Sequence, residues 1–388
     1  MASILDLPQF ERFRLPWQAR CRRYARNRAY YSGDAYRNFA QYAWASQLYS
    51  GTRTLFSPLR RCVRVDVAKV PGGWSLPDAA SAYTRREVDG LRAAIGAAAA
   101  YERFVLYGAV AGEAALLLAG SRARPLPLAL RADEVILGEL DSAPLALIIK
   151  SRGAGSEYAQ VITPEYVQIY EDGVPGAATA NAFGFVPVIL APYIAGEDGC
   201  GEPAFGGVLE LLDRVNELAS LTLDVVARNT EPLLVATGVQ DIVMEPGQDA
   251  IKERNPDARF YTVNPQLAIA ETLELIRDVR GEYKALLPQL HLDELRARGD
   301  LAYDTVITML SELGDHILAV RSGVDRAVAT IERWMLDATG GIPGDYGLYH
   351  ERRWLALSEA QQLDLAMKRL QLEQRRADMV IGVPGARL

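Results

Sequence analysis

Apolar residues recur at intervals of three and four along three segments in the second half of the chain. This spacing predicts amphipathic helices over Phe205–Asn229 and Gln266–Leu287, and a third helix of about 35 residues that begins near Leu301. Pro232 closes the first helix and Pro288 the second, because proline cannot continue a helix. We therefore expect two helical rods joined at one end, followed by a long helix.

Apolar and polar residues alternate in the segment between the rods, as they do in short strands. We expect residues 230–265 to form a small strand–helix–strand unit in which Leu233–Thr237 pairs with Phe260–Val263, either within the chain or with a neighbouring copy. A short charged loop, Leu290–Asp300, then connects the second rod to the long helix.

The first 200 residues predict helices followed by antiparallel strands, so the fold class is α+β and mostly helical. Helices are expected over Phe10–Tyr31, Tyr36–Tyr49, from Ser57 as N-cap to just before Pro71, and over Thr84–Gly108, with a last one over Ser358–Met379. Turns are expected at Asp172-Gly173 and Pro175-Gly176. The predicted strands are Ala114–Ala119, Leu126–Leu130, Leu145–Ser151, Tyr158–Thr163, Tyr166–Tyr170 and Val186–Pro192.

Composition narrows the functional classes. The net charge of −7 disfavours a protein that grips nucleic acid tightly, but an acidic lining suits a ring through which DNA slides. Three cysteines in no metal-like pattern favour a reduced, cytoplasmic setting, and no apolar segment reaches the about 20 residues of a membrane span.

Sequence motifs of catalysis are missing. The chain has no Gly-x-x-x-x-Gly-Lys-Ser/Thr loop, no His-Glu-x-x-His and no Gly-x-Ser-x-Gly. His291, His316 and His350 are far apart in sequence, which makes a shared site improbable. We expect no cofactor, no metal and no enzymatic activity.

Short motifs along most of the chain resemble those of tailed-bacteriophage portal proteins of the siphophage type. The resemblance rests on Arg26–Gly33, Ser57–Lys69, Gly108–Ala114, Phe185–Ile189, Gly201-Glu202-Pro203 before the first rod, Leu357–Gln361 and Val380–Gly382. The order of rod, small head, rod, loop and long helix is similar to the stem, clip, stem, tunnel loop and spine helix of that family. It implies a wing over 1–203, stem helices over 204–229 and 266–287, a clip over 230–265, a tunnel loop over 288–300, a spine helix over 301–339 and a crown over 340–388.

The resemblance also implies a function and partners. It implies a ring of twelve subunits at one capsid vertex, through which double-stranded DNA is packaged, retained and ejected without being tightly bound. The terminase motor, the major capsid protein and a head–tail adaptor would be its partners, no membrane is involved, and the protein would pass from the host cytoplasm into the virion.

Site residues follow from this arrangement. In the loop, Arg296 and Arg298, with His291, become candidates for lining the DNA channel. Each rod has an apolar face that a thin stem cannot bury alone, so neighbours in the ring are expected to cover it. The residues expected in this packing are Leu212, Val215, Leu273 and Ile276.

One alternative stays open. A monomeric or dimeric enzyme that acts on nucleic acid, with a helical C-terminal half and a site assembled only by the fold, would fit the same composition. Particle size separates the two hypotheses.

Overall fold

The computed structural model describes residues 3–37, 56–71, 74–75, 86, 88–90, 92–93, 96–151, 156–196, 199–230, 233–237, 259–263, 269–292, 303–339 and 349–350. These residues form a mixed α+β fold with antiparallel sheets. The α-helices are α1 (Arg14–Ser32), α2 (Asp34–Arg37), α3 (Leu59–Lys69), α4 (Ala97–Ala111), α5 (Leu209–Thr230), α6 (Ile269–Ala285) and α7 (Tyr303–Ala338).

Two antiparallel sheets form the centre of the N-terminal region. The three-stranded sheet has the order β3-β2-β9 and the five-stranded sheet is a meander of β4 to β8. Short two-stranded pairs are β1 with β14 and β10 with β11. The strands are β1 (Trp74–Ser75), β2 (Glu113–Ser121), β3 (Arg124–Arg131), β4 (Val135–Leu140), β5 (Ala143–Ser151), β6 (Glu157–Ile162), β7 (Tyr166–Glu171), β8 (Val174–Ala180), β9 (Val188–Pro192), β10 (Ile194–Ala195), β11 (Gly201–Glu202) and β14 (Tyr349–His350).

The sheets are layered, so several strands are apolar on both faces. In β2, Leu116 and Leu118 join the helical core, while Ala115 and Leu117 face a second core shared by the two sheets. The far side of the five-stranded sheet is covered by the N-terminal segment, including Phe10. Because side chains alternate between the two faces of a strand, one strand contributes to both cores.

The turn predictions are correct in one case and wrong in another. Asp172-Gly173 forms the two-residue turn between β7 and β8, and both residues have positive φ. Pro175-Gly176 is not a turn, because both residues lie inside β8. The β4–β5 hairpin was not predicted, since its turn, Asp141-Ser142, adopts positive φ without a glycine.

The predicted helices of the N-terminal region need two corrections. The helix expected over Thr84–Gly108 is broken at Gly96, which has φ of 62° and precedes α4. Pro58, not Ser57, is the N-cap residue of α3. Helix α1 does end at Gly33, in a left-handed conformation, as the Ser32-Gly33-Asp34 sequence predicts.

The two predicted rods are present as a helical hairpin. Helix α5 packs against α6, and their distal ends are joined by the strands β12 (Leu233–Thr237) and β13 (Arg259–Val263). These strands pair antiparallel within the chain, with Leu233 opposite Val263, so the predicted strand pairing is confirmed. The helix expected between them lies outside the described residues.

Helix α7 is one continuous helix of 36 residues that lies across the three-stranded sheet. It comes close to the sheet at Gly323, where an added Cβ would lie 2.7 Å from the carbonyl oxygen of Pro192 at the end of β9. Glycine therefore lets the helix backbone meet the sheet directly.

Several predicted elements cannot be compared with the structure. Most of Tyr36–Tyr49, residues 293–300 with Arg296 and Arg298, and the final helix Ser358–Met379 lie outside the described residues. Among the helices that the structure does describe, none has the length and apolar character to cross a membrane.

Candidate functional site

A buried polar cluster joins the base of the helical hairpin to α7. It consists of Asp66, Tyr193, Gln289 and His316, and we call it the anchor network. Asp66 comes from α3, Tyr193 follows β9, Gln289 lies in the 3-10 turn Pro288–Leu290 and His316 is on α7. Four separate parts of the chain thus meet at one carboxylate.

Asp66 reaches the interior because of its place on α3. Leu59, Cys62 and Val63 form the buried face of this helix, and Asp66 continues it three and four residues later. Its Oδ2 atom accepts hydrogen bonds from the Tyr193 hydroxyl at 2.7 Å and from the Gln289 amide at 3.1 Å.

The third partner of Asp66 is an imidazole. His316 Nε2 lies 3.1 Å from Asp66 Oδ2 and 2.8 Å from Gln289 Nε2. A buried carboxylate is stable only when several polar groups replace water around it, and this network supplies them. The network therefore fixes the turn that leaves α6.

Ionisation of neighbouring groups is suppressed by the same burial. Burial, together with the Asp66 carboxylate, raises the pKa of Tyr193 well above its ordinary value. Burial also raises the pKa of the Cys62 thiol to about 12, with Asp66 as the second cause. Both side chains stay neutral near pH 7, so they act as hydrogen-bonding and packing groups.

A second contact joins the same turn to α7, one helical turn before His316. His291 is 9% exposed, and its Nε2 lies 2.9 Å from Glu312 Oε2. Glu312 and His316 are four residues apart on α7 and so lie on one face of that helix. Residues 288–292 are therefore fastened to α7 at two successive turns.

An open basic groove lies beside this turn. Its volume is about 440 Å³ and it is lined by Arg277, Arg280, Lys284 and His291, with Gly281 and Ala285 as small residues between them. The Arg280 guanidinium lies 4.5 Å from the centre of the Phe56 ring, which holds it in place. The groove can accept an anionic group through hydrogen bonds from the guanidinium groups.

The residues expected to pack the rods are divided by the structure. Leu212 and Val215 on α5 are buried within the chain itself, and Leu212 belongs to its main core. On α6, Leu273 is exposed and Ile276 half-buried. The expected burial of all four against a neighbour stays a prediction, and the first two already have intrachain partners.

The candidates for the DNA channel are also separated. Arg296 and Arg298 lie outside the described residues. His291 is described and is held against Glu312 on one wall of the groove. His316 belongs to the anchor network, so the two described histidine side chains do not share a site.

Sequence reasoning missed the anchor network, although one signal was present. Asp66 interrupts an apolar helical face, and a carboxylate at such a position indicates a buried polar contact. Nothing local marks Gln289 or Tyr193 as its partners, because both are brought to it by distant parts of the fold.

A second buried ion pair was missed for the same reason. Glu332 on α7 accepts two hydrogen bonds from the Arg92 guanidinium, each at 2.9 Å, and one from the Tyr101 hydroxyl at 3.2 Å. This bidentate contact ties α7 to the region before α4.

Within the part of the chain that the structure describes, no group of three or more His, Cys, Asp and Glu residues is placed to hold a metal ion. The chain matches no protein-family model and no curated protein.

Proposed function

We propose that the chain is the subunit of a tailed-bacteriophage portal, a ring through which double-stranded DNA enters and leaves the capsid. In this proposal, α5 and α6 form the stem, β12 and β13 belong to the clip, α7 is the spine helix and the two layered sheets belong to the wing.

The observation that carries the proposal is the connection of the helical hairpin. Two helices are capped at one end by a paired β-hairpin and followed by a 36-residue helix that returns across the sheet region. An isolated helical hairpin is common, but this order combined with the N-terminal motifs favours a portal subunit.

Exposed leucines on the hairpin give a second support. Leu221 and Leu223 on α5 are each 38% exposed, and Leu273 and Leu275 on α6 are 43% and 45% exposed. Residues two positions apart point to nearly opposite sides of a helix, so these leucines are exposed on more than one side of the hairpin. A ring covers more than one side, because each hairpin stands between two neighbours.

The charge of the chain is compatible with a conduit. A net charge of −7 per subunit repels the phosphates of a passing duplex and limits adhesion. In the proposed ring, Arg296 and Arg298 make brief, salt-screened contacts with the DNA.

The proposed partners follow from the resemblance to portal proteins. They are eleven further copies of the chain, the terminase motor, the major capsid protein and a head–tail adaptor, at one vertex of the virion. The subunit itself carries out no chemistry in this proposal, and the motor supplies the ATP hydrolysis.

Particle size tests the proposal first. Twelve copies of the 42.5 kDa chain give a particle of about 510 kDa, whereas the alternative enzyme would be below about 100 kDa. Light scattering coupled to gel filtration measures this difference directly, and electron microscopy of the same fraction shows whether the particle is a ring. A monomer or dimer under all assembly conditions, or a large particle without a central channel, would overturn the proposal.

A further inference from the structure

Helix α6 has opposite charges on two of its exposed sides. Arg277, Arg280 and Lys284 follow one another at spacings of three and four, so they form one stripe, which also lines the basic groove. Acidic residues form a second stripe, and all of them are exposed: Glu271, Glu274, Asp278 and Glu282. At 100° per residue the two stripes are about 130° apart around the helix.

Neither stripe is the face that packs inside the chain. Tyr283 on α6 and Leu287, just beyond the end of the helix, are buried. The half-buried residues Ile276 and Val279 lie on the same side of the helix. The intrachain contact with α5 thus uses a third side of the helix. Arg277, Arg280 and the four acidic residues are exposed.

The two stripes share a spacing and overlap in height over part of the helix, where Asp278 and Glu282 lie at the level of the basic residues. Arg277, Arg280 and Lys284 have the spacing i, i+3, i+7, and so do Glu271, Glu274 and Asp278. Each set spans about 10 Å at 1.5 Å per residue, and the acidic set extends through Glu282 to the level of the basic one. Copies that stand side by side at equal height therefore present opposite charges to each other.

The groove is shaped for carboxylates. Gly281 and Ala285 leave room between the basic side chains for incoming side chains, and the contact with Phe56 orients the Arg280 guanidinium in advance. The Glu312 carboxylate lies beside His291 at one end of the groove, so the arginine end is the more basic. Guanidinium groups bind carboxylates through two parallel hydrogen bonds, which adds direction to the attraction.

We propose that the basic groove of one subunit binds the acidic stripe of α6 in the next copy of the chain. This inference rests on the proposed ring. The basic side of α6 in one subunit contacts the acidic side of α6 in the next, and the same contact repeats around the ring. A nucleic acid is the other polyanion that such a groove could attract, but the neighbouring copy carries an acidic complement on the same helix.

Charge reversal tests the contact. The double change Arg277→Glu with Arg280→Glu replaces two positive charges of the basic stripe by negative ones. We expect the protein concentration at which half of the subunits are assembled to rise at least a hundredfold, as measured by mass photometry and light scattering. Adding Glu274→Lys and Asp278→Lys to the same chain exchanges the sign of the charge at two positions of each stripe and should restore rings. The matched control, Arg103→Glu with Arg124→Glu, changes the net charge equally at two other exposed arginines and should assemble like the parent.

Two further measurements keep the test decisive. Circular dichroism establishes that each variant is folded. If the double reversal does not fold, Arg277→Glu alone leaves the contact of Arg280 with Phe56 in place and should still weaken assembly. Parent rings should dissociate more readily as salt rises from 0.1 M to 1 M, because the screening length falls from about 10 Å to about 3 Å.

The outcomes separate this contact from the ring itself. Normal rings from the Arg277 and Arg280 reversal, or a folded fourfold variant that stays monomeric, would overturn the proposed contact while the ring stands. A parent chain that is monomeric would overturn the proposed function. If the reversal abolishes binding of a labelled duplex yet leaves assembly unchanged, the groove is a nucleic-acid site and the subunit contact lies elsewhere.

Discussion

Replacing Gly323 by alanine is the sharpest test of how α7 lies on the sheet. Alanine is favoured over glycine inside a helix by about 1 kcal/mol. At Gly323, however, the new Cβ would lie 2.7 Å from the Pro192 carbonyl oxygen and 3.7 Å from that of Tyr193. An ordinary contact of this kind is above 3.4 Å, so the helix or the strand end must move by more than half an ångström.

Overpacking of this size costs about 1–3 kcal/mol. Set against the gain in helix propensity, Gly323→Ala should lower the free energy of unfolding by about 0–2 kcal/mol. Gly281 on α6 provides the matched control, because an added Cβ there meets nothing within 4 Å. Gly281→Ala should therefore raise stability by about 1 kcal/mol, and the two variants should differ by about 1–3 kcal/mol.

Urea denaturation followed by far-UV circular dichroism measures both changes. Protein concentration and oligomeric state must be equal for all three proteins, since assembly adds to apparent stability. A Gly323→Ala protein as stable as Gly281→Ala would show that α7 does not touch the end of β9, and the packing described for α7 would be wrong.

Three further changes test the buried polar groups. Asp66→Ala leaves the Tyr193 hydroxyl and the Gln289 amide without their acceptor and should lower the free energy of unfolding by about 3–5 kcal/mol in urea titrations, with Asp66→Asn less damaging; equal, small effects would contradict the anchor network. Burial raises the pKa of the Cys62 thiol from 9 to about 12 in the folded chain. Between these pH values only the unfolded chain ionises at this residue, so the free energy of unfolding should fall as the pH rises. Cys62→Ala should remove this part of the pH dependence in thermal melts. A double-mutant cycle with Glu332→Gln and Arg92→Ala should give a coupling energy of about 1–3 kcal/mol, whereas additive effects would argue against the bidentate contact.

Periodicity predicted the long helices and the strand pairing of the head because these features depend on local sequence. The apolar repeat of α7 persists for ten turns, and the alternation of Leu233–Thr237 and Phe260–Val263 is bounded by prolines. Their end points shifted by only a few residues, as is usual where caps and short 3-10 turns compete.

The errors have identifiable physical causes. β4 was missed because its turn uses Asp141 and Ser142 at positive φ, where glycine or asparagine is the usual signal. Pro175-Gly176 suggested a turn, yet an edge strand tolerates proline, and β8 is at the edge of its sheet.

The candidate site was harder to predict because its parts are distant in sequence. Asp66 and His316 are 250 residues apart, and no local pattern joins them. The charged stripes of α6 were visible in the sequence, but only the structure shows which side of the helix packs against α5 and hence that both stripes are exposed.

The contacts spread along α7 have a mechanical consequence. The helix is held to α3 at His316, to the end of β9 at Gly323 and to Arg92 at Glu332, over an axial distance of about 24 Å. A helix held at several points cannot slide or rotate relative to its support without breaking buried polar contacts. A force along α7 is therefore shared among these contacts and passes to α3, to the three-stranded sheet and to the region before α4.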